Sequence, residues 1–308
     1  MKTFLVVNPR SAGGHTGKRW AELSAQVGRA LGEFGHEFTA GVMDAARIAR
    51  KAIQDGYECI VAVGGDGTIN EVVNGFFHEG KALNPNAALG IIPRGTGGDF
   101  RRAFGWDLEL DSALARLRTD KTEPFDVGLV EYINHEGKPE QRYFANISSL
   151  GVSAQIADAV NDTSKALGGT LSFFWGSLKG MASFQPGTVT IRVDGAAPEL
   201  VPSNNMIAVA NGRYYGGGMC VAPDAITHDG LFDVTIWSGY TLKDFIFKSK
   251  GLYSGEHVKW KGTRRLQCRT FEAESEGGRE VLIEVDGEVP GRLPAKLTVL
   301  PSAIRLKV

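Results

Sequence analysis

Short, unbroken apolar runs at residues 3–7, 59–63 and 88–92 predict buried strands, and mixed stretches at 18–35, 44–55, 67–78 and 109–118 predict helices between them. Strand and helix alternate in this way up to about residue 120, the pattern of a mostly parallel sheet covered by helices on both faces. After Pro124-Phe125-Asp126-Val127-Gly128 the texture changes. Strand-like segments follow near 126–132, 142–148, 188–194, 204–211, 231–237, 265–272, 280–286, 296–300 and 303–307, most of them separated by turn residues. The expected architecture is an N-terminal doubly wound, mostly parallel α/β domain over 1–125, then a predominantly antiparallel β-sandwich domain over 126–308. Two helices, near 151–161 and 166–183, interrupt the β half. The second, with Leu171-Ser172-Phe173-Phe174-Trp175, is expected to pack on the sandwich or to present an apolar surface to lipid or substrate.

Chemistry enters at the strand ends. Cys59-Ile60-Val61-Ala62-Val63 runs into Gly64-Gly65-Asp66-Gly67-Thr68 and then into the helix-like Ile69-Asn70-Glu71. A strand, a glycine turn and a helix start form a phosphate cradle: without Cβ atoms the backbone can approach a ligand, and the first free N–H groups of the helix point at it. Pro93-Arg94-Gly95-Thr96-Gly97-Gly98-Asp99 follows the 88–92 run in the same manner. In open parallel sheets both loops belong at the carboxyl edge, where ligands bind. Arg94 can offer a guanidinium fork to a phosphate, and Asp66 and Asp99 make sense beside phosphates if Mg²⁺ lies between them. The Walker A spacing fails because Ala12 and Arg19 stand where glycine and Ser or Thr are required around Gly17-Lys18. A dinucleotide fingerprint fails at Phe100, where a glycine is needed after Gly95 and Gly97.

Composition narrows the class. The chain has 308 residues, 43% hydrophobic, enough for two cores, and a formal net charge of −1 that argues against a nucleic-acid partner. Lys259-Trp260-Lys261 and the basic residues after it are expected in a solvated hairpin. Cys59, Cys220 and Cys268 are too few and too scattered for a zinc site or a disulfide framework, so a reducing compartment, the cytoplasm, is expected. No stretch reaches the roughly 20 apolar residues needed to span a bilayer.

Together these segments resemble the diacylglycerol kinase catalytic-domain family, the bacterial soluble lipid kinases related to sphingosine and ceramide kinases. The resemblance rests on Asn8-Pro9 with Gly13-Gly14, the 64–68 loop continuing through Asn70-Glu71-Val72-Val73-Asn74-Gly75, the 93–99 loop, Phe125-Asp126-Val127-Gly128, Gly216-Gly217-Gly218-Met219 with Asp229-Gly230-Leu231, and Asp286-Gly287-Glu288. It implies transfer of the γ-phosphate of Mg-ATP to a lipid hydroxyl, with Asp286 as general base and Glu288 in support. It implies nucleotide contacts from Asn8, Arg10, Gly64, Gly65, Asp66, Gly67, Thr68, Arg94, Gly95 and Thr96. Asp66, Asp99 and Asp126 resemble the family's Mg²⁺ network, and Asp229 with Leu231 a separate metal site. The implied partner is a lipid with a free hydroxyl, with peripheral contact at the inner membrane face; the oligomeric state, a dimer included, stays open. Gly98 departs from the pattern, since most relatives carry asparagine there. An NAD-kinase-like enzyme with a soluble acceptor and a non-catalytic nucleotide-binding regulator remain as alternatives.

Overall fold

Cys59–Gly64 is buried at every position, as a strand covered on both faces requires. It is β3 of a parallel sheet whose order is β2 (Gly35–Phe38), β1 (Thr3–Val7), β3 and β4 (Ala88–Pro93). A computed structural model describes residues 1–95, 97–162 and 184–308. The chain divides into two units, Met1–Val127 with Pro301–Val308, and Gly128–Leu300.

In the first unit, Leu5, Val7, Val61, Val63 and Ile92 share one apolar cluster with Leu23 and Val27 of α1 (Trp20–Leu31). Ala113, Leu114 and Leu117 of a later helix join them. The intervening side chains Val6, Ile60, Ala62 and Ile91 face the opposite way and are just as deeply buried. On the sheet pack α2 (Asp44–Gln54) and α3 (Asp66–Gly75), which also pack on each other. A short α4 (Asp99–Ala103) follows the second glycine loop, and α5 (Leu110–Arg118) carries the residues of the shared cluster. The helix expected over 18–35 ends at Leu31, because Gly32 turns the chain out with φ 80°, and the residues beyond it form the edge strand β2. Residues 301–308, expected in the second domain, cluster with this unit: Arg305 and Leu306 pair in parallel with Ala88 and Leu89.

The second unit is built on antiparallel ladders. β5 (Thr122–Asn134) carries the chain into it and pairs with β6 (Pro139–Phe144). After β7 (Ile147–Gly151) and α6 (Val152–Asp162) come β8 (Gly187–Val193) and β9 (Glu199–Ala210). The long β9 pairs with β7, with β8 and with β10 (Phe232–Ser238). Then follow α7 (Leu242–Ser254), β11 (Thr263–Cys268), β12 (Thr270–Ser275), β13 (Leu282–Val285) and β14 (Glu288–Lys307). Val209, Val234, Phe232, Phe271, Ile283 and Leu297 are among the residues of its core. The expected helix at 166–183 lies outside the described residues, and Thr96 lies outside them as well. The basic stretch 259–265 is not a hairpin: a 3₁₀ turn, Glu256–Lys259, leads into β11.

Candidate active site

Three loops leave the carboxyl ends of β1, β3 and β4 and meet. Asn8 donates its backbone N–H to the Val63 carbonyl at 3.0 Å and its side-chain amide to Thr68 Oγ1 at 3.1 Å. Its side-chain oxygen accepts the Arg10 N–H at 3.0 Å, while the Arg10 residue is exposed. Arg94 donates its N–H to the Gly64 carbonyl at 2.7 Å, so the second glycine loop is anchored on the first. The approach is closest at two glycines: a Cβ on Gly95 would stand 2.5 Å from Gly65 Cα, and one on Gly65 would stand 3.1 Å from Gly95 Cα. No larger residue fits at Gly95 without moving backbone. At this contact α3 begins. Ile69 is bonded back to the Gly65 carbonyl, so the N–H groups of Asp66, Gly67 and Thr68 precede the helical ladder and have no carbonyl within it.

The side chain of Arg94 lines a cleft of about 290 Å³ with Thr16, Arg19, Glu22 and Glu109. Burial lowers the proton affinity of its guanidinium, and the Arg19 charge adds to this.

The acidic residues are engaged by protein groups. Asp66 Oδ2 accepts the N–H groups of Gly98 (2.7 Å) and Asp99 (3.1 Å), and Oδ1 that of Phe100 (3.2 Å), so this carboxylate caps α4. Asp99 pairs with Arg102 at 2.8 Å. Asp126 is wholly buried and accepts the Ser302 N–H at 2.6 Å. The fold therefore brings Asp66 and Asp99 to one loop and ties Asp126 to the C-terminal segment. Gly98 has φ 68°, and a Cβ there would meet Arg101 Nε at 2.6 Å, so Arg101 occupies space next to the position where the resemblance expects asparagine. Among the described residues, no three His, Cys, Asp or Glu side chains gather as a metal site. In the second unit the exposed Asp229 accepts the Leu231 N–H at 3.0 Å within its own turn.

Asp286 and Gly287, with φ 46° and 94°, form the two-residue turn between β13 and β14. The Asp286 carboxylate is fixed by backbone donors: Oδ2 accepts from Ala145 at 2.8 Å, and Oδ1 accepts from Asn146 at 3.1 Å and Ile147 at 2.8 Å. This explains why the strand expected over 142–148 is broken between Phe144 and Ile147, since the N–H groups there turn to a side chain. Glu288 is exposed just beyond the turn. Reading the sequence missed Glu284, which is fully buried two residues before Asp286. Its carboxyl group meets Ser149 Oγ and the Gly287 N–H, and burial pushes it up to about 8. The signal was one charged letter inside Val281-Leu282-Ile283-Glu284-Val285.

Residues 2–130 match the model of the diacylglycerol kinase catalytic domain, and residues 146–308 match that of the YegS C-terminal NAD kinase beta sandwich-like domain. The chain belongs to the diacylglycerol kinase family. A Pseudomonas aeruginosa protein named probable lipid kinase YegS-like is 31% identical over 309 residues, covering 99% of this chain and 93% of that protein. The diacylglycerol kinase of Bacillus subtilis is 28% identical over 297 residues, 96% of this chain and 92% of its own length. A solved diacylglycerol kinase structure from Bacillus anthracis shares the fold, with a TM-score of 0.70 at 19% identity, over 99% of this chain and 96% of that one. By family, then, the chain is a lipid kinase, with an N-terminal α/β part and an antiparallel sandwich-like part. Among the described residues, no helix is long and apolar enough to cross a membrane.

Proposed function

We propose that this lipid kinase transfers the γ-phosphoryl group of Mg-ATP to the hydroxyl of a lipid such as diacylglycerol, with Asp286 taking the hydroxyl proton. The observation that carries the reading is the contact of Gly65 with Gly95 at the start of α3. Two glycine loops pressed together beside unladdered N–H groups suit a chain of phosphates and little else. Each N–H bond to a charged phosphate oxygen contributes about 1.5–3 kcal/mol, which exceeds the helix-dipole contribution of about 0.3–1 kcal/mol. In this reading Gly64, Gly65, Gly67, Thr68, Gly95 and Thr96 line the phosphates, Asn8 braces Thr68, and Arg10 and Arg94 add positive charge near them.

The carboxylates fit Mg²⁺ only in the manner usual for that ion, through one or two acidic groups, phosphate oxygens and water. Asp66 and Asp99 stand at the loop that would hold it, with Asp126 as the third member of that network, and the Asp229–Leu231 turn is assigned to a separate metal site. Bound with the nucleotide, Mg²⁺ would neutralise charge on the phosphate oxygens. Asp286 suits the part of base because three backbone N–H groups hold its carboxylate in one orientation, and a base must stand within hydrogen-bond reach of the proton it takes. Glu288 is assigned a supporting role beside it. The lipid acceptor favours a cytoplasmic enzyme that works peripherally at the membrane.

Transfer of labelled γ-phosphate from Mg-ATP to lipids in detergent micelles tests the proposal. Asp286→Asn is expected to lower turnover by about 10²–10⁴ with ATP affinity kept. Full turnover in that variant would remove Asp286 from its role. Transfer to NAD and to no lipid would replace the acceptor, and tight Mg-ATP binding without any transfer would leave a nucleotide-binding regulator.

A further inference from the structure

Glu284 is the most deeply placed carboxyl group near the proposed base, and the proposed reaction gives it no part. It stands opposite Ser149 in the antiparallel register of β13 and β7. One of its oxygens accepts the N–H of Gly287, the second residue of the Asp286–Gly287 turn; the other meets the hydroxyl of Ser149. Ser148 of the same strand holds the Glu284 carbonyl through its hydroxyl at 2.8 Å. Resting on the reading of Asp286 as the base, we propose that Glu284 is a positioning residue: it ties the Asp286–Gly287 turn to Ser149 of the neighbouring strand and so sets where the Asp286 carboxylate stands.

Burial, not the hydrogen bonds alone, indicates which form of the carboxyl group does this. A serine hydroxyl has one proton. Ser149 Oγ stands 2.9 Å from Ser153 Oγ, at the start of α6, and the Ser153 hydroxyl has a proton of its own for that bond. The Ser149 hydroxyl donates to the ionised Glu284 carboxylate and can accept from the carboxyl group when it is protonated, so the contact persists in either form. The protonated form is the one burial favours, since the site excludes water and nearby Asp286 already brings negative charge.

Among the described residues, the groups seen to act on Glu284 are neutral or negative. Asp286 lies on its own turn, and Tyr215 bonds to it from a short strand. β7 offers only Ser148 and Ser149, and Ser153 is the neighbour from α6. On β14 Glu288 is exposed, while Arg292 is paired with Glu280 at 3.3 Å. Loss of the Glu284 proton therefore places a second negative charge beside the turn. Turnover is expected to fall as pH rises through about 8, the value to which the group is raised.

The test measures kcat and the KM for ATP between about pH 6 and pH 10 for the unaltered chain, Glu284→Gln, Glu284→Ala and Asp286→Asn. Glutamine keeps an acceptor for Gly287 and a donor for Ser149 without titrating. Glu284→Ala is expected to lose about 10²-fold in kcat, the scale of a misplaced catalytic group, with KM for ATP unchanged. Glu284→Gln is expected to recover most of that loss and to lack the decline above about pH 8. A decline that persists in Glu284→Gln, or full kcat in folded Glu284→Ala, overturns the inference while an inactive Asp286→Asn still supports the base. Full turnover in Asp286→Asn overturns both.

Discussion

At Gly95 the missing Cβ is a geometric requirement, because the space it would take is filled by the backbone of Gly65. Gly95→Ala is expected to force the loops apart at a cost of about 1–3 kcal/mol, as overpacking does. Titration calorimetry with Mg-ATP should then show affinity weakened roughly tenfold or more; undiminished affinity would separate the loop contact from nucleotide binding. Glu284 yields a second expectation, in stability. Its carboxyl group is raised from 4.5 to about 8 by burial, so between those values the folded chain holds a proton that the unfolded chain has released. Stability therefore falls as pH rises across that window. Glu284→Gln removes this slope, and its Tm should gain on that of the unaltered chain from about pH 5 to pH 9; parallel Tm curves would contradict a neutral buried carboxyl group. The glycines of the site were legible because a backbone that must pass close to another leaves a visible mark in residue type. Asp66 was less so: a carboxylate at a loop can serve a metal or cap a helix, and here its oxygens accept the N–H groups at the start of α4. Glu284 was illegible as a functional group, since only the fold sets it against Ser149.

Elements were read well where one face or both faces are apolar and poorly where a tertiary contact interrupts them. The parallel strands β1, β3 and β4 stood out as unbroken apolar runs, whereas the edge strand β2, Gly35-His36-Glu37-Phe38 and half exposed, did not. The strand expected over 142–148 is split because Ala145 and Asn146 donate to Asp286, a partner far along the chain. α7 was absent from the expected elements, although its start carries a recognisable sign. Thr241 and Asp244 form a reciprocal capping box, each side chain bonding to the backbone of the other. The neighbouring Lys248 holds the Asp244 carboxyl group well below its usual range, with the bond from Thr241 adding to this. Thr241→Ala is expected to lower stability by about 1 kcal/mol, seen in urea unfolding as an earlier midpoint with the same slope. An unmoved midpoint would mean that α7 is held by its packing alone.

For the molecule as a whole, the alternation of strand and helix and its later loss placed the change of architecture near residue 125, and the chain divides next to Val127. The return of residues 301–308 to the first unit was not legible, because an apolar strand near the end of the sequence carries no mark of which sheet receives it. Ile304 and Leu306 are fully buried there, and Ser302 satisfies Asp126. A chain ending at Leu300 is expected to expose the β4 edge, and limited proteolysis should cut within 1–127 before it cuts within 128–300. Equal resistance of the first unit in both chains would show that it stands without the segment.

That late-arriving segment also imposes an order on biosynthesis. The ribosome delivers residues 1–127 early, yet the strand that lies along β4 emerges only after all of 128–300 has been made. Until then the nascent α/β half has an uncovered margin beside the very strand that leads into the Arg94 loop. On the proposed function, the sheet that bears the nucleotide loops would be completed last, after the strands that carry Asp286 have been made.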